Sequence, residues 1–149
     1  MGIAVYSKLA NNTSQCHLLA EGKGSMVSVR YASFNVTICY LYILPEAPSL
    51  VYNDAIDKIR NLGFSGSPLI ILGDFNKNPR AIPSGFQKQA CDLGLRQLIT
   101  GMTHNRGNTL DHIYTNINED SLSYGCLNTL TKSDHLPVFV SVKTSAFDD

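Results

Sequence analysis

Five polar residues that could act on a phosphate ester lie directly beside aliphatic runs of this sequence. They are Asp74, Asn76, Asp111, Asp134 and His135. Carboxylate oxygens are ligands for hard cations such as Mg²⁺, which polarise a phosphoryl oxygen and activate water. An asparagine amide donates hydrogen bonds to phosphate oxygens, and a histidine held by a carboxylate serves as acid, base or transition-state stabiliser. The combination therefore suits a hard cation and an oxyanion substrate.

Asp74 and Asn76 follow the run Leu69–Leu72, whose four consecutive aliphatic residues predict a strand buried on both faces. Side chains two positions apart on a strand point the same way, so both are expected to face the mouth of the sheet. In open α/β sheets, ligands bind at such strand ends. The alternative is an Asx turn, in which these side chains bond their own backbone.

Asp134 and His135 directly precede the apolar run 136–140. Polar residues weaken the start of a strand, so their presence there suggests that they have a use. Taken singly, an Asp-His pair is more often a surface or capping pair, and it is the joint occurrence of all the groups that favours a site. The other histidines are predicted to have no catalytic role: His17, His104 and His112.

The elements that would position these residues are strands and two helices. Four β-rich runs a turn apart predict an antiparallel meander, at 3–7, 16–20, 26–31 and 34–43. The spacing of apolar residues after prolines predicts helices at 49–62 and 84–93. Further strands are predicted at 69–72, 95–100, 111–115, 122–130 and 136–142. Strand, helix and buried strand in succession form a crossover unit, which indicates mixed α/β structure.

The composition is that of a globular chain. Its 149 residues suffice for a core and predict a single domain over 1–149. No apolar run reaches the ~18 residues that a membrane span needs, so no membrane partner is predicted. The 12 basic and 12 acidic residues balance, which counts against tight non-specific binding of nucleic acid. The four cysteines form no CxxC pair and predict reduced thiols in an intracellular protein.

Three motifs carry a resemblance to a known family. Gly73–Asn76, Leu110–Ile113 and Ser133–Val138 occur in this order and together resemble the endonuclease/exonuclease/phosphatase superfamily, which has the DNase I-like fold. Thr103–Asn116 and Gly2–Lys8 more specifically resemble the endonuclease domains of LINE-type retrotransposons. The resemblance covers essentially the whole chain, but only the later part of the family's domain.

The resemblance implies a fold and an activity. The expected fold is an α/β (α+β) sandwich of two mixed, mostly antiparallel β-sheets flanked by helices, incomplete at the N-terminus. The expected activity is that of a phosphodiesterase dependent on Mg²⁺, or on Mn²⁺ in its place, which nicks DNA for retrotransposition. DNA is then the substrate partner, a larger polyprotein with reverse transcriptase is the expected context, and the nucleus is the place of action on chromosomal DNA.

The resemblance also implies roles for the polar residues. Asp74 would position or deprotonate the attacking water, and Asn76 would hold the scissile phosphate. Asp134 would lie at the metal site. His135 would contact the phosphate, and Asp111 would orient it and stabilise its charge.

Tyr42 resembles a family tyrosine that ends a strand just before a proline and touches the phosphate. The match is imperfect, since two residues separate Tyr42 from Pro45. Tyr40 is an alternative, and a core aromatic is an equally good interpretation. Thr109 is expected to be a backbone-positioning neighbour.

One departure from the family concerns its metal-binding glutamate, which normally follows a glutamine on an early strand. The glutamates here are Glu21, Glu46 and Glu119, each in a predicted loop and none after glutamine. We therefore expect an N-terminally truncated domain with weakened activity, whose exposed strand edges invite self-association. The alternatives are a phosphomonoesterase or lipid phosphodiesterase of the same superfamily, and a non-catalytic remnant.

Overall fold

The structure, a computed structural model, describes residues 3–64, 66–127 and 133–147. The described strands are β1 (Asn12–Leu18), β2 (Gly24–Tyr31), β3 (Val36–Ile43), β4 (Leu69–Asp74), β5 (Arg96–Gln97), β6 (Asp111–Thr115), β7 (Leu122–Cys126) and β8 (Val138–Val142). The α-helices are α1 (Ser49–Arg60) and α2 (Ser84–Asp92). Short 3₁₀ turns occur at Ala20–Gly22, Pro79–Ala81, Glu119–Ser121 and Thr144–Phe147.

Six strands form the main sheet, in the order β1-β2-β3-β4-β6-β5. The first three make an antiparallel meander, and α1 then carries the chain across to β4, which is parallel to β3. β6 is antiparallel to β4, so the beginning of β6 lies beside the end of β4. β7 and β8 form a second, two-stranded antiparallel sheet. The predicted sandwich of mixed, mostly antiparallel sheets with flanking helices is confirmed.

α1 forms because its apolar residues recur on one face, after Pro48 at its start. Val51, Tyr52 and Ile56 on that face are fully buried. Basic residues in the last turn, Lys58 and Arg60, complement the negative end of the helix dipole. Of the helices that the structure describes, none is long and apolar enough to cross a membrane.

One face of the main sheet packs against α1 and α2. The residues between them form the helix-facing core, which includes Met26, Leu41, Tyr52, Ile71, Phe75, Phe86 and Tyr114. Side chains alternate along β3 and β4, so odd-numbered positions of these strands enter this core. It is the larger of the two apolar clusters among the described residues.

The opposite face of the main sheet packs against β7 and β8. We call this the inter-sheet core; it includes Val29, Ile38, Tyr40, Ile70, Leu72, Ile113, Val140 and Phe147. A cavity of about 480 Å³ remains there, beside Tyr40, Leu72 and Val140. Many members of this core are only partly buried.

Several predicted element bounds are wrong. Residues 3–10 form no strand, since no described strand pairs with them, and β1 begins at Asn12, four residues before the strand predicted at 16–20. The strand predicted at 95–100 is reduced to β5. The strand predicted at 122–130 ends at Cys126, and its residues 128–130 lie outside the described part of the chain.

Candidate active site

Asp74 and Asp111 lie side by side at one end of the main sheet. Asp74 is the last residue of β4, Asp111 is the first of β6, and the two are paired in the ladder. Tyr42 of β3 is paired with Asp74 on its other side. Because paired residues point to the same face, all three side chains emerge at the end of the inter-sheet face.

Gly73 allows β4 to approach β3 just before the first carboxylate. A Cβ atom at Gly73 would lie 1.8 Å from the carbonyl oxygen of Leu41, which no side chain tolerates. The glycine of the Gly73–Asn76 motif is therefore required by the close approach of two strands, and this approach sets the position of Asp74.

His135 links the two carboxylates. Its Nδ1 lies 2.7 Å from Asp111 Oδ2, in a hydrogen bond, and its Nε2 lies 3.7 Å from Asp74 Oδ2. One ligand atom from each of these three residues can be chosen so that all lie within 4.8 Å of one another. The structure thus brings together three of the residues predicted from separate motifs.

The backbone around His135 is tied to the loop 101–108. The amide of Leu136 donates to the carbonyl of Thr103 at 2.7 Å, and the amide of Asn105 donates to the carbonyl of Asp134 at 2.9 Å. Thr103 also organises the second carboxylate, since its hydroxyl oxygen accepts the Asp111 amide at 3.0 Å. The loop therefore positions both Asp111 and His135.

The environment changes the protonation of Asp74 and His135. Burial and the negative charge of Asp111 raise the pKa of Asp74 above its ordinary 3.8, against the lowering effect of the Asn76 amide and nearby histidines. Partial burial lowers the pKa of His135, but its hydrogen bond with Asp111 and the surrounding carboxylates outweigh this and raise it above 6.5. Asp74 is thus a stronger base, and His135 a more persistent cation, than when exposed.

Asn76 does not continue the strand direction. Its φ of +52° is left-handed, which asparagine tolerates, and its backbone amide donates to Asp74 Oδ1 at 2.9 Å. The Asx turn considered as an alternative is therefore present at Asp74. The Asn76 side-chain amide donates to the carbonyl of Ile43 at 2.6 Å, which directs it toward the end of β3.

Asp134 lies at the rim of the cluster and is exposed. Its carboxylate accepts one long bond, 3.4 Å, from the Asn105 side chain. It is not among the three residues whose ligand atoms are grouped, although its charge helps to raise the pKa of His135.

Tyr42 and Tyr40 have different surroundings. Tyr42 is half-buried beside Asp74. Tyr40 packs in the inter-sheet core, where burial and Tyr31 raise its pKa to about 12. Of the two tyrosines, Tyr42 lies next to the cluster and Tyr40 is a core aromatic.

The histidines behave less uniformly than predicted. His112 is fully buried, stacks on Phe75 at 4.8 Å and lies 2.9 Å from the Thr109 carbonyl, which is a structural role. His104 is predicted from the sequence to have no catalytic role, but its ring centroid lies 5.0 Å from that of His135. Its only sequence signal was its place in the family-like stretch from Thr103 to Asn116.

The donor set fits a hard divalent cation. Asp74, Asp111 and the exposed Asp134 supply carboxylate oxygens in one region, and oxygen ligands suit Mg²⁺ and Mn²⁺. The imidazole of His135 is already engaged through Nδ1 by Asp111. None of the three glutamates, all in the described part of the chain, belongs to the cluster.

Solved structures share this fold. CdtB, the active subunit of cytolethal distending toxin, has a TM-score of 0.66 and 16% identity, over 92% of this chain and 58% of that chain. The endonuclease domain of TRAS1, a telomere-specific non-LTR retrotransposon, has a TM-score of 0.62 and 19% identity, over 88% of this chain and 68% of that chain. A mannosyl-6-phosphatase of Bacteroides thetaiotaomicron has a TM-score of 0.54 and 17% identity, over 80% of this chain and 56% of that chain.

The chain spans about 58% of the length of CdtB, and no curated protein matches it. The model of one protein family matches residues 1–135, which include all three residues of the cluster. A match over so much of the sequence is decisive where the structural neighbours, at low identity, show the fold alone. The chain belongs to the Endonuclease/Exonuclease/phosphatase family.

Proposed function

We propose that this chain is a divalent-metal-dependent phosphodiesterase that nicks DNA, of the retrotransposon endonuclease type. The observation that carries the proposal is the Asp111–His135 hydrogen bond of 2.7 Å beside Asp74, at the end of the main sheet. This arrangement offers a base and a cationic donor to the same small space. Attack by water on a phosphate diester requires both of these groups.

In the proposed reaction, the Asp74 carboxylate accepts a proton from water as the water oxygen bonds to phosphorus. The raised pKa of Asp74 favours this transfer. The bond from phosphorus to the sugar oxygen breaks, and the departing oxygen takes up a proton from solvent water. His135, kept cationic by Asp111, donates from Nε2 to a phosphate oxygen and stabilises the charge that develops there.

Asn76 and Tyr42 complete the proposed phosphate site. An amide nitrogen carries two hydrogens, and the bond to Ile43 uses one, so Asn76 retains a second donor for the phosphate. Tyr42 offers a hydroxyl beside Asp74. Asp134 would hold Mg²⁺, or Mn²⁺, together with oxygens of the neighbouring carboxylates. Such an ion supplies charge neutralisation at the phosphate and lowers the pKa of water.

Cationic side chains near the site favour a nucleic acid. Arg80 and Arg106 are exposed on loops that flank the cluster, and neither forms an ion pair with any carboxylate that the structure describes. Lys77 follows Asn76 directly, with its Nζ 5.9 Å from the centre of the Tyr52 ring. Contacts between such cations and phosphate groups would give affinity for a nucleic-acid backbone without specifying its sequence.

The proposal extends to the context of the chain. Residues 1–149 would act as one catalytic domain, within a polyprotein that also holds reverse transcriptase, and would act in the nucleus on chromosomal DNA. The partly buried inter-sheet core and the unpaired edge of β1 would support self-association.

The test is conversion of supercoiled plasmid to open circle, with Mg²⁺ and with a chelator. Asp74→Asn and His135→Ala are each expected to lower the rate by about 10²–10⁴-fold, as for loss of an acid or base. Asp57→Asn is the control, since the Asp57 side chain is 48% exposed on α1 and forms an ion pair with Arg60. Circular dichroism verifies that each variant folds.

The same preparation is tested for phosphate release from inositol phosphates. Phosphate release without nicking would replace the proposal with the phosphomonoesterase alternative. Neither activity in a folded chain would support a non-catalytic remnant.

A further inference from the structure

A second histidine accompanies His135, although sequence patterns did not single it out. His104 and His135 face each other in an isolated antiparallel bridge between the loop 101–108 and the segment before β8. The bridge is flanked by the Leu136–Thr103 and Asn105–Asp134 backbone bonds of 2.7 and 2.9 Å. The two residues are therefore held opposite each other by backbone pairing on both sides.

The two imidazole rings are in contact. Their centroids lie 5.0 Å apart and their planes are inclined at 86°, which is the edge-to-face geometry that aromatic pairs favour. The His135 side chain is 35% exposed, so the ring is partly open to solvent. Asp111 holds one ring atom of His135 by a single hydrogen bond, which leaves the tilt of the ring free. The contact with the His104 ring supplies a second constraint on the orientation of the His135 ring.

The His104 ring is itself fixed. The amide of Arg106 donates to His104 Nδ1 at 3.2 Å, so this nitrogen is an acceptor and the proton of the neutral ring is on Nε2. The His104 amide and carbonyl bond Asn108 and Gly107, both at 3.0 Å. A ring held at its backbone and at one nitrogen is a rigid surface for its neighbour.

We propose that His104 is a positioning residue, whose ring packs edge-to-face on His135 and holds the His135 Nε2 toward Asp74 and the substrate phosphate. The inference rests on the proposed function for its catalytic consequence, but its structural part concerns the orientation of His135 alone. His104 does not touch the substrate in this proposal, so the aromatic shape of its ring matters and its nitrogens do not contact the phosphate.

The kinetic test compares His104→Ala with His104→Phe in plasmid nicking. His104→Ala removes the ring and is expected to lower kcat about three- to tenfold with little change in KM, as the loss of an aromatic pair predicts. His104→Phe keeps the ring and should recover most of kcat. His17→Ala is the control, because His17 is also half-buried but bonds Ser28 on the far strands.

Equal losses in His104→Phe and His104→Ala would overturn the proposal, since they would mean that the imidazole nitrogens are needed. An unchanged kcat in a folded His104→Ala variant would also overturn it. If His104→Ala does not fold, His104→Leu, which fills the space without an aromatic edge, takes its place, and a kcat equal to that of His104→Phe would overturn the proposal.

A second readout is independent of activity. The ring proton and nitrogen chemical shifts of His135, measured by NMR, should move in His104→Ala toward those of a free imidazole and stay near the wild-type values in His104→Phe and His17→Ala. This result in a chain that nicks no DNA would uphold the positioning of His135 while the proposed function fails. Unchanged His135 shifts in His104→Ala would overturn the inference in an active enzyme as well.

Discussion

The helix-facing core and the inter-sheet core lie on opposite faces of the same main sheet, yet they differ in how completely they are buried. Among the described residues, the helix-facing core has 20 buried members and 3 partly buried ones, whereas the inter-sheet core has 8 and 14. Two helices therefore exclude water from one face, and two strands with a short turn only partly cover the other. The first face carries most of the hydrophobic stabilisation.

The candidate site uses both regions. Asp74 and Asp111 emerge on the inter-sheet face, but the residue after Asp74, Phe75, is fully buried in the helix-facing core. His135 lies in the segment before β8, on the side of the less buried inter-sheet core. Rigid support for the carboxylates and partial access for solvent therefore come from different sides of one sheet.

The largest expected contrast concerns two phenylalanines. Phe75→Ala should lower the free energy of unfolding by about 3–5 kcal/mol, because the loss of a fully buried ring, stacked on His112 and edge-to-face with Phe86, leaves a cavity. Phe147→Ala in the inter-sheet core should cost about 1 kcal/mol, since that ring is partly exposed beside Phe34. Urea denaturation measures both, and equal costs would refute the difference between the two regions.

Two glycines provide the next contrast. Gly73→Ala places a Cβ against the backbone of β3 and should cost about 1–3 kcal/mol or more. Gly125→Ala in β7 meets only the Phe139 ring at 3.5 Å, an ordinary contact, and should change stability by less than about 0.5 kcal/mol. Thermal unfolding distinguishes them. A tolerated Gly73→Ala would mean that β3 and β4 can separate without cost.

Two tyrosine hydroxyls sharpen the comparison further. The Tyr52 hydroxyl donates to the buried Phe75 carbonyl, so Tyr52→Phe leaves an unsatisfied acceptor and should cost about 1–2 kcal/mol. The Tyr124 hydroxyl on β7 donates to the exposed Glu119 carboxylate, so Tyr124→Phe should leave the free energy of unfolding nearly unchanged. Guanidinium denaturation with an unchanged m-value measures the free energy of unfolding of both variants. A larger loss in Tyr124→Phe than in Tyr52→Phe would contradict the greater stabilisation assigned to the helix-facing core.

The smallest expected effect is the pH dependence of stability, which two histidines should govern with opposite signs. Burial lowers the pKa of His112, so its contribution is present above pH 6.5 and is lost as the pH falls. The pKa of His135 is raised by Asp111 and neighbouring carboxylates despite its partial burial, so its contribution is present below pH 6.5 and is lost as the pH rises.

Thermal unfolding across this pH range tests the two signs. His112→Gln should flatten the acid side of the stability profile, and His135→Gln should flatten the alkaline side. The same slope change in both variants would show that the two environments do not differ in the way that their burial and partners indicate.

Local patterns predicted much of the fold. The strand predicted at 111–115 coincides with β6, and the helix predicted at 49–62 contains α1. The crossover from β3 to β4 also follows from the order of elements. The strand predicted at 3–7 is wrong, because a β-rich run does not form a strand unless a neighbouring strand completes its ladder.

Local sequence patterns were enough to find the candidate carboxylates, His135 and the strand ends that carry them, because hydrophobic runs and turn residues act over a few positions. Three contacts depend instead on the folded chain: His135 bonds Asp111, 24 positions away, Asn76 turns back toward Ile43, and His104 faces His135. Those distances depend on which strands pair and on how closely β3 and β4 approach at Gly73, and these are properties of the assembled sheet.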